Sequence, residues 1–174
     1  TDDSVYVLAL EGGHAIDRAT GAGRWSVPME DPAWFGFPVG RHVFSAEVGK
    51  RVAALDTESG ETLWEVSSDP NRYPATYDGE RLFFGTQQRS VLAVSVHDEL
   101  MQAEELLYPG PGWSGQPTSS PVVDGGLMYM NADDGKLHAF DLKRPDKPLW
   151  DASRSPAPAV AKGKVFVTGR IPDP

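Results

Sequence analysis

Four histidines, His14, His42, His97 and His138, are the first residues to weigh as metal ligands or general bases. They fall in different parts of the chain, and no spacing pairs them. His138 stands between Leu137 and Ala139 in an alternating stretch, which suits a hydrogen-bonded core or channel-facing ring better than a ligand. The run Asn131-Ala132-Asp133-Asp134-Gly135 has the oxygen-rich character of a calcium loop. It lacks the EF-hand spacing and the Glu that closes such a loop, so a hairpin turn is the plainer expectation. Serines are plentiful, but none sits in a nucleophile-elbow pattern. There is no cysteine, which removes disulfides, thiol nucleophiles, thiolate zinc and iron–sulfur chemistry together. No catalytic residue, metal site or cofactor is expected.

The bulk properties agree with a non-catalytic, turn-rich protein. Of 174 residues, 40% are apolar, enough for a real core. The 18 Gly and 15 Pro suit a fold with many turns. The net charge of −9, with no cluster of Lys and Arg, argues against a nucleic-acid surface. No apolar run approaches the ~20 residues of a membrane span. The first residues, Thr1-Asp2-Asp3, show no signal-peptide pattern and no initiator Met, as expected of a processed chain or part of a longer one.

What organises the sequence is repetition. The stretch from Val43 to Trp64, VFSAEVGKRVAALDTESGETLW, recurs upstream as VYVLALEGGHAIDRATGAGRW and downstream as LMYMNADDGKLHAFDLKRPDKPLW. Asp17 and Asp56 are 39 residues apart, and so are Trp25 and Trp64. Short strands repeating at about 40 residues predict an all-β propeller of four-stranded antiparallel blades.

With the strands of a blade lettered A to D, the chain reads as B-C-D, three complete blades, then A-B. The units are 1–28, 29–66, 67–107, 108–152 and 153–174, in a single propeller segment. The run 5–10 is expected to be buried on both faces, with Gly12-Gly13 as the turn after it. Met29–Phe37 is expected to be a loop, with strand A near Phe37–Gly40. Unit three is degenerate: Ser95 stands at the Asp position and Ala103 at the Trp position, and 98–107 would also pass for a helical turn or two. The fourth unit's outer strand is expected at Pro148–Ala152.

Asp17, Asp56 and Asp141 precede turns whose backbone N–H groups a short carboxylate can cap. Trp25, Trp64 and Trp150 fall on outer strands, where each ring can wedge between blades and remove ~200 Å² from water. An apolar strand, Asp-Gly, Leu-x-Ala-Leu/Phe-Asp, x-x-Thr/Ser-Gly and x-x-x-Trp together resemble the pyrroloquinoline-quinone-like (PQQ-like) repeat. Quinoprotein alcohol dehydrogenases, BamB-type outer-membrane assembly lipoproteins and extracytoplasmic sensor regions of bacterial Ser/Thr kinases carry it. The resemblance implies a propeller and points to an extracytoplasmic scaffold or ligand-sensing module. A quinoprotein fragment and a kinase sensor domain are the alternatives. The quinoprotein's vicinal Cys pair cannot exist here, and no carboxylate cluster maps onto its calcium ligands.

In an up-and-down blade the D–A and B–C connections emerge on one side. The long connections Met29–Phe37 and Tyr108–Ser119 are both D–A, so Trp34, Phe35, Arg72, Tyr73 and Trp113 are expected to share a face that binds a protein partner or small ligand. An incomplete ring would be completed in one of three ways. The chain is part of a seven- or eight-bladed ring; or two copies self-associate into eight blades; or strand A at Pro158–Ala161 closes four blades onto Val5–Leu10.

Overall fold

A computed structural model of the chain describes residues 3–9, 11–29, 33–96, 103–106, 115–153 and 158–167, with the backbone alone at 33–35 and 104–106. Among these residues there is no helix. Five antiparallel sheets follow one another along the chain. The first holds β1 (Ser4–Ala9), β2 (Gly12–Asp17) and β3 (Gly23–Val27); the second holds β4 (Ala33–Val39), β5 (His42–Glu47), β6 (Arg51–Asp56) and β7 (Thr62–Ser67). The third holds β8 (Thr76–Tyr77), β9 (Arg81–Gly85), β10 (Val91–Ser95) and β11 (Ala103–Leu106); the fourth holds β12 (Val122–Asp124), β13 (Leu127–Asn131), β14 (Lys136–Asp141) and β15 (Trp150–Ser153). The fifth is the pair β16 (Ala159–Ala161) and β17 (Lys164–Phe166). Every sheet is a meander, so the B-C-D, three blades, A-B reading is the observed strand order. By its contacts the chain divides into two compact units, Thr1–Pro74 and Ala75–Pro174.

Period-2 alternation explains why the inner strands are apolar throughout. Along β13 and β14, Met128, Met130 and Phe140 pack with Phe83, Val91 and Ala93 of the third sheet. The intervening Tyr129, Leu137 and Ala139 pack with Val160 and Val165 of the fifth. Between the third and fourth sheets the Thr76 hydroxyl also donates to the Pro121 carbonyl. In β1, by contrast, Val5 and Val7 are 47% and 39% exposed. The strand is therefore not buried on both faces. Its Tyr6 and Leu8 face packs inward, against Trp25 and Gly36, and the valine face is open.

The register discloses a cross-strand rung in each blade. Tyr6, Ala15 and Trp25 lie side by side on β1, β2 and β3. Phe44, Ala54 and Trp64 do so in the second sheet, and Tyr129, Ala139 and Trp150 in the fourth. The small central Ala lets the outer rings meet over it: centroids are 6.0 Å apart for Tyr6–Trp25 and again for Tyr129–Trp150. In the third sheet Phe83 and Ala93 hold their places, and Glu104 lies opposite Ala93. The Trp position of that blade thus belongs to Glu104, one residue beyond Ala103.

Trp25 also reaches the second sheet. Its indole N–H donates to the Thr57 carbonyl at 3.0 Å, and its ring lies over Gly60. Gly60 has φ +77°, and a Cβ there would sit 2.8 Å from the ring. The turn beneath is held by Asp56, whose Oδ1 accepts from the backbone N–H of Glu58 at 2.8 Å and of Ser59 at 3.0 Å. Asp17 does the same for Ala19 and Thr20, and Asp141 for Lys143. Trp150 differs: it is 43% exposed, so it is no buried wedge. It rests on Tyr129 alone among the described ring contacts.

Other expectations shift. Gly12 and Gly13 are strand residues; Gly12 has φ +146°, and a Cβ on it would lie 2.2 Å from the Val27 carbonyl oxygen, so its conformation and this close approach both require glycine there. Trp34 and Phe35 belong to β4, which begins at Ala33. Residues 103–106 are extended rather than helical, paired to β10. The fourth blade's outer strand starts at Trp150, after Leu149 N–H has bonded to Ala139.

Gly60→Ala is expected to lower stability by about 3 kcal/mol, from left-handed strain plus collision with Trp25, against about 1 kcal/mol for Gly125→Ala. Gly125 has φ +59° but nothing within 4 Å of its Cβ position. Urea unfolding of the two variants compares them. The Asp56 carboxyl is held down at about 2, first by the hydrogen bond from Arg41 and then by the Ser59 and Glu58 amides. Its stabilisation is complete above its ordinary value of 3.8 and is lost as pH falls through about 2. Asp56→Asn is expected to flatten that part of the acid-stability curve.

Candidate binding face

In the first unit the side carrying the B–C and D–A connections is built by backbone clamps. The β5–β6 turn and the connection after β7 bond to each other: Gly49 N–H to Pro70 O at 3.2 Å, Ser68 N–H to Lys50 O at 3.1 Å. Asn71, 5% exposed, accepts from the Tyr73 amide through Oδ1. The second unit repeats the device. Asp133 N–H donates to Gln116 O, Gln116 N–H returns to the Asp133 carboxylate at 2.9 Å, and Thr118 N–H donates to Asn131 O.

Beside the first clamp lies a cleft of about 500 Å³ lined by Pro28, Met29, Glu47, Lys50, Arg51 and Ser67. It therefore joins the start of the D–A connection after β3, the β5–β6 turn and the end of β7. Glu47 is 2% exposed. It is compensated by Arg51, whose Nε donates to Glu47 Oε1 at 2.8 Å while a terminal nitrogen reaches Glu65 at 2.5 Å. These two bonds, the Glu47 one foremost, hold the Arg51 guanidinium above its usual pKa and fix its plane in the cleft wall. The lining thus offers the Lys50 ammonium, the paired charges of Glu47 and Arg51, a hydroxyl and an apolar wall of Met29 and Pro28: a surface suited to a mixed polar and apolar ligand such as a peptide segment.

Of the residues expected on this face, Arg72 (exposed) and Tyr73 (half-buried) lie in the clamped connection after β7. Trp34 and Phe35 are strand residues rather than loop residues. Trp113 lies outside the described residues, as do His97 and 107–114. Sequence reasoning missed Glu47 and Arg51. The signal was present as a Glu closing the largely buried strand His42–Glu47, four residues before an Arg.

The Asn131–Gly135 segment is a hairpin turn. Its Asp133 carboxylate is taken up by Gln116, and its Asp134 carboxylate by the Lys136 amide and by His138 Nε2 at 3.0 Å. Asp134 is held below its ordinary value despite its burial, by the Lys136 amide and then His138. His138 itself is 4% exposed, and the pair locks the turn. His42 lies against Phe44, and burial, then Arg41, pushes its pKa down. Among the described residues no three His, Asp or Glu converge on a metal position.

The family model described as outer membrane protein assembly factor BamB matches residues 14–170. The chain belongs to the BamB family of PQQ-like propellers. BamB of Yersinia pestis is 24% identical over 158 residues, 79% of this chain and 38% of that protein. The serine/threonine-protein kinase AfsK of Streptomyces coelicolor is 28% identical over 159 residues, 87% of this chain and 19% of the kinase. The crystal structure of BamB from Moraxella catarrhalis superposes with a TM-score of 0.68 at 20% identity, covering 88% of this chain and 50% of that one. The chain thus spans less than two fifths of the curated relatives it matches. In this BamB-family chain the recurring Asp and Trp positions serve the blades, and the cleft residues lie outside that pattern.

Arg51→Met would leave Glu47 buried without its cation. A loss of about 3 kcal/mol is expected, at the low end for a broken buried pair because Arg51 is one third exposed. The double variant Glu47→Gln/Arg51→Met is expected to recover at least half of it, read by chemical denaturation.

Proposed function

We propose that this chain is a non-catalytic scaffold on the extracytoplasmic side, binding a protein partner through the face that carries the Lys50–Arg51 cleft and the Arg72–Tyr73 connection. The observation that carries the reading is membership of the BamB family over residues 14–170, whose name describes an assembly factor. The geometry supports it. Arg and Tyr on short clamped connections are the residue types that anchor interfaces, and the clamps lower the ordering cost of binding. Among the described residues no helix is long and apolar enough to cross a membrane. Sensing by a kinase ectodomain is the second reading, favoured by the likeness to AfsK over 87% of the chain.

Photo-crosslinking residues placed at Lys50 or Arg72 are expected to capture a subunit of the outer-membrane assembly machinery, and the same probe at Glu58 or Lys162 is not. Lys50→Glu with Arg72→Glu is expected to weaken that capture at least about tenfold. Equal capture from both sets, or redox-dye turnover after adding quinone and calcium, would remove the scaffold reading.

A further inference from the structure

Of the 16 Lys and Arg, Arg154 and Arg170 lie outside the described residues. Most of the others are engaged. Five pair with carboxylates, from Arg24–Asp17 in the first sheet to Lys136–Asp151 in the fourth. Arg18, Lys50, Arg72 and Arg89 have contacts of their own. The five that remain are Lys143, Arg144, Lys147, Lys162 and Lys164. All are exposed, and among the described residues no ion pair or side-chain hydrogen bond holds any of them. They fall in two places only. Three lie in the β14–β15 connection, which Pro145 and Pro148 stiffen; the other two flank Gly163 in the β16–β17 turn. The fold brings these connections to one side of the second unit. Leu142 N–H donates to Gly126 O at 3.0 Å, tying the first of them to the β12–β13 turn. Leu127 pairs with Asp141 and packs on the same cluster as Val160 and Val165, which pair one rung inside the β16–β17 turn. Lys162 has φ +52°, where the β12–β13 turn has Gly125 at +59°. A lysine is thus held in the left-handed region that glycine occupies without strain, at the tip of that turn.

We propose that this side of the second unit binds an extended acidic polypeptide segment, whose carboxylates engage the Lys143–Lys147 connection and the Lys162–Lys164 turn together. The chain carries −9 overall. On these adjoining connections five unengaged cations stand against Asp124, Asp141 and Asp146, so the sign of the charge is reversed locally. Two features select a flexible acidic chain over other anions. The cations sit on separate turns, and the clefts described in this protein are lined by other residues, which leaves a compact phosphate unenclosed. Asp124 and Asp146 stand among the cations; a chain can thread its carboxylates past them, and a flat anionic membrane cannot. The −9 of the whole molecule also opposes approach to a negative plane. Exposed ion pairs are individually weak, so the site works by number and by encounter rate, and it weakens with salt. It shares no residue with the Lys50–Arg72 face, and the segment is carried by a different polypeptide from the subunit expected there.

Fluorescence anisotropy of the 174-residue chain tests this with two labelled peptides of about twelve residues. One alternates glutamate with serine; the other has glutamine in place of glutamate. At about 0.02 M salt wild type is expected to bind the glutamate peptide at least about tenfold more tightly than the glutamine peptide, and to lose most of that margin by about 0.3 M. Lys143→Gln/Arg144→Gln/Lys147→Gln is expected to weaken binding at least about tenfold, and Lys162→Gln/Lys164→Gln about threefold. Lys50→Gln/Arg72→Gln removes as many charges as the second variant, from other connections, and is expected to bind within about twofold of wild type. The triple variant is expected to unfold in urea like wild type, because its altered side chains support no contact, and this separates lost binding from lost fold. No preference for the glutamate peptide, undiminished binding by the triple variant, or equal weakening in Lys50→Gln/Arg72→Gln overturns the proposal. So does tighter binding to vesicles of about one third phosphatidylglycerol than to the peptide, lost in the triple variant, which assigns the site to a membrane surface. Failure of the crosslinking at Lys50 and Arg72 would leave each of these outcomes as it stands.

Discussion

An indole ring held between an aromatic residue two strands away in its own sheet and the left-handed glycine of the next blade's turn is the constraint on which the first unit rests. The Trp25 seat needs four things at once: Tyr6 behind the ring, Ala15 small enough to let the two rings meet, Thr57 offering its carbonyl, and Gly60 without a side chain. Each alone is ordinary. Together they make one sheet specify the position of the next, because a dry ring with a satisfied N–H tolerates little sliding. The spacing of Asp, Gly, Ala and Trp in the first two units is therefore the trace in sequence of that single contact.

The aspartates serve that contact indirectly. Asp56 faces its own turn, accepting two backbone amides and an Arg41 bond, and so shapes the surface that the ring from another sheet lands on. Capping and wedging are thus parts of one device. The carboxylates that first invited a chemical reading, in Asn131–Gly135, do the same local work in a B–C turn, with His138 as an added lock.

Fold was legible because its signals are local. Tight turns such as Asp78-Gly79 and apolar runs such as Arg81–Gly85 or Lys136–Asp141 fall where their residues place them. Errors came where a residue answers to a distant neighbour. Gly12 reads as a turn residue, yet it is a strand glycine, required by its φ of +146° and by the approach of the Val27 carbonyl. Counting by 39 put Ala103 opposite Ala93, whereas pairing put Glu104 there, since a period cannot see where a connection gains a residue. Val5 and Val7 read as buried because period 2 gives an apolar residue on each face without saying what covers it. The cleft was least legible of all: Glu47 and Arg51 are read as strand-end polar residues until the sheet brings Glu65 and Ser67 beside them. Trp34 and Phe35 looked like loop anchors because Pro32 and Gly36 flank them, and β4 pairs across that interruption through a shift in register.

The clamps between the B–C turns and the D–A connections are made largely of main-chain groups, Gly49 to Pro70, Ser68 to Lys50, Thr118 to Asn131. A shape held by amides and carbonyls does not depend on which side chains project from it. Residues such as Arg72 can therefore be exchanged over evolutionary time while the outline of the rim stays constant. A face held in this way can change its side chains while the connections beneath them keep their path.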